Sequence, residues 1–171
     1  MKVNFVTIGK DDANARKILQ IDNAHIIYRN FEGRGGKYNR PGERNFAVVI
    51  PTTDLADLLT DEGWNIKVKP NKRDDQDVPF MYLPVKVSVN ERGPAIYVAC
   101  NGHQDRIPPS DFPMLDRIDI VEANMDIRPY DWEVDGRHGR TAYLQSMQVV
   151  QRVDRFNTNE PPIRYSEPDA E

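Results

Sequence analysis

Residues 83–100 have the sequence LPVKVSVNERGPAIYVAC, and this stretch decides the fold class. Apolar side chains alternate with other residues from Leu83 to Val89, which is the period of a β-strand with one buried face. Residues 90–93 have the composition of a turn, and the apolar run 95–100 predicts a return strand. We therefore predict a β-hairpin here and a mainly β protein.

Comparable patterns extend this prediction along the chain. Residues 25–31 and 44–50 predict a second hairpin, whose glycine-rich loop, residues 32–43, is long enough to suggest a function. Residues 54–61 predict one short helix that Gly63 ends. Further strands are predicted over residues 64–69, 118–134 and 140–152, which makes about seven strands in all and favours a closed barrel or a sandwich.

Composition and charge limit the class of protein. The 171 residues fit one domain, and the single Cys100 excludes an intrachain disulfide. No apolar run is long enough to span a membrane and no signal peptide is evident, so we expect a cytoplasmic protein. We predict a domain over residues 1–153, within which residues 1–22 form an N-terminal extension. Residues 11–20 of this extension fit either a helix or a loop.

Charge is distributed unevenly. The net charge is −4, yet residues 28–44 contain five bases and two acids, whereas residues 154–171 contain five acids and two bases. A basic segment on a nearly neutral body is typical of proteins that bind polyanions. The acidic, proline-containing end predicts a disordered tail over residues 154–171.

The glycine-rich loop and its flanks, residues 28–46, interleave cations with flat side chains. Single-stranded nucleic acid requires both, because cations follow the phosphates and aromatic rings stack on the bases. The alternative is a flexible loop with solvated arginines, with Phe31 and Phe46 in the core. The candidate contacts in this segment are Tyr28, Arg29, Arg34, Lys37, Tyr38 and Arg40.

A second aromatic and basic segment, residues 127–144, predicts two strands around a turn at 135–139. Its aromatic residues suit base stacking and its arginines suit phosphates; alternatively the aromatics form core or a dimer contact. Lys67 and Lys69 would extend such a groove, or else protect a sheet edge from aggregation. The candidate contacts in the second segment are Arg128, Tyr130, Trp132, Arg137, Arg140 and Tyr143.

Metal and catalytic motifs are sparse. Cys100 and His103 are too few for a structural zinc site, so we predict no metal and no cofactor. The candidate site for a metal-dependent nuclease is a set of four carboxylates, and no histidine lies near them in the sequence. We therefore predict no catalytic residue and no enzyme. These carboxylates are Asp116, Asp119, Glu122 and Asp126.

Several runs resemble a family of single-stranded-DNA-binding proteins from tailed bacteriophages. They are YRNFEG at 28–33, RNFAVVIP at 44–51, DEGWNIK at 61–67, DIRPYDWEV at 126–134 and GRTAYLQ at 139–145. The resemblance covers roughly residues 25–152. It implies an OB-fold-like barrel of five strands whose loops and one face hold the DNA strand, and no catalytic residues. An OB-fold has its helix after the third strand, whereas the predicted helix follows the second, so either residues 3–8 hold a further strand or the barrel is a decorated variant.

We therefore expect binding of single-stranded DNA with little sequence preference, in phage replication or recombination within the host cytoplasm. The tail would recruit replication or recombination proteins. The alternative is a non-enzymatic structural or adaptor β-domain that forms a homo-oligomer through its aromatics. The DNA-binding hypothesis requires the loop 32–43 and the hairpin 128–143 to meet on one side of the barrel.

Overall fold

The computed structural model describes residues 1–9, 16–70 and 79–152. This part of the chain contains ten strands, one α-helix and one 3-10 helix. In chain order they are β1 Lys2–Ile8, β2 Arg16–Ala24, β3 Ile26–Asn30, β4 Arg44–Ile50, α1 Thr53–Asp61, β5 Lys67–Lys69, β6 Phe80–Val87, β7 Ala95–Cys100, β8 His103–Ile107, the 3-10 helix Pro109–Asp116, β9 Ile120–Val134 and β10 Arg137–Gln151. The predicted tail, residues 154–171, lies outside the described residues. Neither described helix is long and apolar enough to cross a membrane.

One sheet forms the body of the protein, in the order β1-β2-β9-β10-β6-β4-β3. β5 joins an edge of β6, and β7 with β8 joins β10. The mainly β prediction is confirmed. Among the described residues no ladder connects β1 to β3, so the sheet is not closed by hydrogen bonds.

The core lies against one face of this sheet. Phe46, Val48 and Ile50 of β4 are buried, as the alternation predicts, and the Phe31 ring stacks on Phe46 with 5.3 Å between centroids. Leu59 of α1 and Phe112 of the 3-10 helix are also buried in this core. Burying each such side chain contributes roughly 1.5–3 kcal/mol, so this core favours the observed orientation of the strands that contribute to it.

The N-terminal prediction is corrected. β1 and β2 form an antiparallel hairpin that runs from the pair Lys2–Asp22 to the pair Ile8–Arg16. Residues 16–20 are therefore strand rather than helix or loop, and residues 3–8 hold the missing strand. Ile18 and Leu19 are buried, and Leu19 pairs with Ile127 of β9. This long-range packing overrides the weak local preference for helix.

The hairpin predicted at residues 83–100 is wrong. β6 and β7 do not pair with each other; residues 85–86 and 95–99 both pair in parallel with β10. The chain makes a local excursion instead, in which the backbone amides of Asn90 and Gly93 each donate to the carbonyl oxygen of the other. Alternation identifies which side chains face the core, but it does not show whether the chain reverses.

The true hairpin follows β7. Asn101 and Gly102 have φ values of 51° and 77°, and they turn the chain directly into β8. Positive φ at both positions suits a tight two-residue turn, for which Asn-Gly is the strongest short-range signal. No turn was predicted from the sequence at this dipeptide.

Two further boundaries differ from the sequence predictions. Thr52 caps α1 by accepting a hydrogen bond from the Leu55 amide at 3.2 Å, so the helix begins at Thr53, one residue before the predicted start. Of the strand predicted at residues 64–69, only Lys67–Lys69 is formed. Trp64 instead lies buried in the core, which removes it from the β5 ladder.

Candidate nucleic-acid interface

The outward side of β6 forms the floor of the candidate interface. The inward residues of β6 are buried, whereas the alternate ones face away from the core. Extended to Ser88, this surface is about 26 Å long at the usual rise per strand residue. We call it the β6 face, and it consists of Phe80, Tyr82, Pro84, Lys86 and Ser88.

A groove opens along one edge of β6. On that edge the pairing passes from β5, at Lys67–Tyr82, to β10, at Ala142–Val85. Pro84 therefore falls between two ladders, and the strands separate around it. The resulting hairpin groove has a volume of about 990 Å³, with Trp132 among its walls on one side and Lys67 on the other.

Trp132 lies in the hairpin groove rather than in the core. It pairs with Gly139 across β9 and β10, and its indole covers that glycine so closely that a Cβ there would lie 2.5 Å from Cζ2. Trp132 is 38% exposed, whereas Trp64 is 4% exposed. The glycine thus allows a flat ring to rest on the strand with one surface accessible.

The glycine-rich loop and the hairpin meet across Lys86. Cross-strand neighbours of Lys86 are Asn45 on β4 and Tyr143 on β10. A smaller cavity of about 350 Å³ is lined by the end of the loop, including Gly42, together with Lys86 and Tyr143. Because Lys86 also lines the hairpin groove, the two sequence segments belong to one continuous surface.

Tyr143 reaches this surface because of a bulge. Strict alternation along residues 140–152 would put Tyr143 on the same face as Met147 and Val149, but the register of β10 shifts between Leu144 and Ser146. Met147 and Val149 are buried, while Tyr143 faces outward. Such a bulge reverses the alternation beyond it, and no local pattern in residues 140–152 marks its position.

Two other predicted contacts surround Tyr143. Arg128 lies with Cζ 4.8 Å from the Tyr143 ring centroid, a cation–π geometry. Tyr130 meets Tyr143 edge to face at 6.0 Å and is exposed. Arg128, Tyr130 and Tyr143 therefore form one cationic and aromatic cluster next to Lys86.

An aromatic cluster occupies the other end of the β6 face. The Tyr28 and Phe80 rings both contact Tyr82, at 5.6 and 5.8 Å between centroids. Lys69 donates a hydrogen bond to the Tyr28 hydroxyl at 3.1 Å and lies over the same ring. This bond raises the pKa of Lys69, with a further contribution from the negative charge that Tyr28 can carry. Lys69 thus keeps its charge beside accessible rings.

Arg29 and Arg140 have partners within the fold. Arg29 Nη1 donates to the carbonyl oxygens of Leu115 and Ile118 at 2.8 and 2.7 Å, which joins β3 to the 3-10 helix. Arg140 pairs with Asp131 at 2.7 Å and donates through Nη1 to the Glu62 carbonyl oxygen at 2.6 Å. We therefore remove both arginines from the set of expected phosphate contacts.

The remaining candidates lie on exposed segments. Arg34 is within 3.5 Å of Glu32, and Lys37 lies over the ring of the highly exposed Tyr38. Arg40 and Arg137 are exposed as well. None of these five lines the hairpin groove or the cavity beside Tyr143.

Three of the four carboxylates considered for catalysis have neighbours that account for them structurally. The Asp116 side chain is 5% exposed and accepts the backbone amides of Phe31 and Glu32 at 2.8 and 3.0 Å. It thereby fixes the start of the glycine-rich loop. Asp119 pairs with Arg152 at 3.2 Å, and burial raises the pKa of Asp126.

Several interface residues were not in the predicted set. Phe80, Tyr82 and Lys86 follow from the alternation of residues 83–89, because inward valines and leucines place the alternate residues outward. Arg44 lines the smaller cavity, and its Nε is buried without a partner among the described residues. Sequence alone offered no signal for that orphaned donor.

Comparisons with known proteins give a family for the chain and similar folds. A family model described as "Putative phage ssDNA-binding domain" matches residues 10–169. No curated protein sequence matches the chain significantly.

Solved structures with a similar fold include a protein from a bacteriophage. The C-terminally truncated single-stranded DNA-binding protein from bacteriophage Enc34 is 14% identical with a TM-score of 0.50, covering 88% of this chain and 96% of that one. The Enc34 protein in complex with ssDNA is 12% identical with a TM-score of 0.50, covering 90% and 98%. Since the family model matches residues 10–169, nearly the whole length of this chain, the chain belongs to the phage ssDNA-binding domain family.

Proposed function

We propose that this protein binds single-stranded DNA along the β6 face, with bases stacked on its rings and phosphates held by its lysines. The observation that carries the proposal is the position of Lys86. It lies between the hairpin groove and the cavity beside Tyr143, so the two segments that the DNA-binding hypothesis requires share one surface. Family membership supports the same ligand.

Aromatic and cationic groups alternate along this surface in the way that a single strand demands. Lys69 and Tyr82 lie near one end, Trp132 and Lys86 near the middle, and Arg128 near the other end. Stacking on an aromatic ring contributes about 1–3 kcal/mol per base and tolerates any base. We therefore expect affinity with little sequence preference.

Local charge accounts for binding despite the net negative charge of the chain. Asp131 and Glu133 line the groove, and the Asp131 carboxylate is paired with Arg140. Three bases, Lys67, Lys86 and Arg140, line it against these two acids. Lys67 and Lys86 line the same groove, and neither lysine belongs to an ion pair among the described residues. Arg44 lines the smaller cavity and adds a further cation to this surface.

We extend the proposal to phage DNA replication or recombination in the host cytoplasm, without a catalytic step. In this proposal residues 1–153 form the DNA-binding domain, and the acidic tail, residues 154–171, recruits replication or recombination proteins. The support is the excess of acids in the tail, which suits contact with basic partner surfaces.

Tryptophan fluorescence tests the binding surface directly. We expect an oligo-dT of about 16 nucleotides, the upper end of common site sizes for OB-type domains, to quench emission at low salt and to be released by salt. Trp132→Phe should remove most of the quench, since Trp64 also borders the groove but is only 4% exposed, while labelled DNA still binds with reduced affinity. Absence of both quench and salt-dependent binding in the wild type would contradict the proposal.

A further inference from the structure

Three arginines from separate segments converge on a cavity next to the β6 face. The cavity has a volume of about 370 Å³ and is lined by Arg16, Arg92 and Arg128. Arg16 begins β2, Arg92 lies in the excursion between β6 and β7, and Arg128 belongs to β9. We call it the arginine cavity.

Each arginine is available to an external anion. Among the described residues none of the three takes part in an ion pair, and none of the described lining residues is acidic. Three like charges facing one space repel each other, and an anion placed between them relieves that repulsion. The lining therefore suits a phosphate and offers no aromatic ring for a base.

The local backbone holds Arg92 at this place. Asn90 and Gly93 exchange backbone hydrogen bonds at 2.9 and 3.2 Å, and the Asn90 side chain accepts the Arg92 amide at 2.9 Å. The segment that connects β6 to β7 is therefore closed at its base by these hydrogen bonds, and Arg92 lies in the loop that it forms. This segment forms no strand, but it places a cation at the edge of the cavity.

The arginine cavity continues the β6 face. Ser88 lines both this cavity and the neighbouring one that contains Tyr143, and Arg128 lies over the Tyr143 ring. A strand leaving Lys86 past Tyr143 would meet the arginines next. The opposite end of the face, by contrast, holds Tyr28, Phe80 and Tyr82.

We propose that the arginine cavity is a phosphodiester-binding subsite at one end of the DNA path, which holds the backbone of nucleotides whose bases are not bound. This inference rests on the proposed function. It predicts that nucleotides beyond the aromatic half of the face contribute affinity through charge alone.

Chimeric oligonucleotides separate the two halves. A dT tetramer, about the smallest site size of OB-type domains, supplies bases for the aromatic half, and about four abasic nucleotides are added to its 5′ or 3′ end. At about 50 mM salt each neutralised phosphate should contribute about 8-fold in affinity, from the counterion release of single strands. We expect such a gain in the wild type from at least one of the two extensions.

Arg92→Ala should reduce the gain in affinity from the abasic extension by about 8-fold and leave the affinity for the plain dT tetramer unchanged. The control is Lys2→Ala, since Lys2 is exposed at the end of β1 opposite the Ile8–Arg16 pair. A wild type that gains nothing from either extension, or an Arg92→Ala variant that keeps the full gain, would overturn the subsite while leaving the proposed function intact. A wild type that binds no oligonucleotide of any length would refute the proposed function, and the subsite with it.

Discussion

Replacement of Lys86 by alanine tests the centre of the proposed DNA path. Lys86 is exposed between Asn45 and Tyr143 and lines both cavities, so its removal takes one charge from the path without opening the core. Surface substitutions of this kind usually change stability by less than about 0.5 kcal/mol. Any loss of affinity would therefore reflect binding.

The expected size of the effect follows from the cations on the path. Lys67, Lys69, Lys86 and Arg128 lie on the β6 face or beside it. If each neutralises one phosphate, the slope of log affinity against log salt is about −2.8, and affinity falls about 50-fold between 50 and 200 mM salt. Lys86→Ala should reduce the steepness by about 0.7 and weaken binding about 8-fold at 50 mM salt but only about 3-fold at 200 mM.

Anisotropy of labelled oligo-dT measured over this range of salt gives both quantities. Lys2→Ala is the matched control, because it removes an exposed lysine from an outer strand of the sheet. A Lys86→Ala variant with the affinity and salt slope of the wild type would refute the placement of the DNA on the β6 face. A loss of equal size in Lys2→Ala would show that only overall charge matters.

Three further changes test other parts of the structure. Gly139→Ala should displace the Trp132 indole, shift its emission and weaken DNA binding by about 1–3 kcal/mol. The control is Gly36→Ala, where an added Cβ meets nothing within 4 Å, and it should change neither the emission nor the affinity. Unchanged emission in Gly139→Ala would contradict the packing of Trp132 on Gly139. Asp116→Ala should lower the free energy of unfolding by about 1.5–3 kcal/mol, because two backbone amides lose a charged acceptor; urea unfolding equal to the wild type would exclude that role. Burial raises the pKa of Asp126, so the folded state favours its protonated form and should lose stability as pH rises from the ordinary carboxyl range through the native pKa. Asp126→Asn should lack this loss and be the more stable protein at pH 7, and parallel stability curves for the two proteins would disprove it.

Local patterns were sufficient for much of this protein. Alternation identified the buried side of β4 and β6, and the pairing of glycine-rich and aromatic segments with arginines identified the two regions that meet at Lys86. The prediction of the buried side succeeds because the side-chain period of a strand depends on neighbouring residues. The choice of the two segments follows from the local chemistry of stacking and phosphate contact, and their contact with DNA stays a prediction. The phage single-stranded-DNA-binding family was recognised on the same runs.

Strand pairing and the use of individual arginines could not be inferred locally. β6 and β7 have the pattern of a hairpin, yet both pair with β10, because hydrogen-bonding partners are chosen by contacts distant in sequence. Arg29 and Arg140 look like their neighbour Arg128, but carbonyl oxygens and a carboxylate from other segments bind them, whereas Arg128 remains on the outward surface. An arginine's role depends on what lies within about 3 Å of its guanidinium, and only the packed chain determines those neighbours.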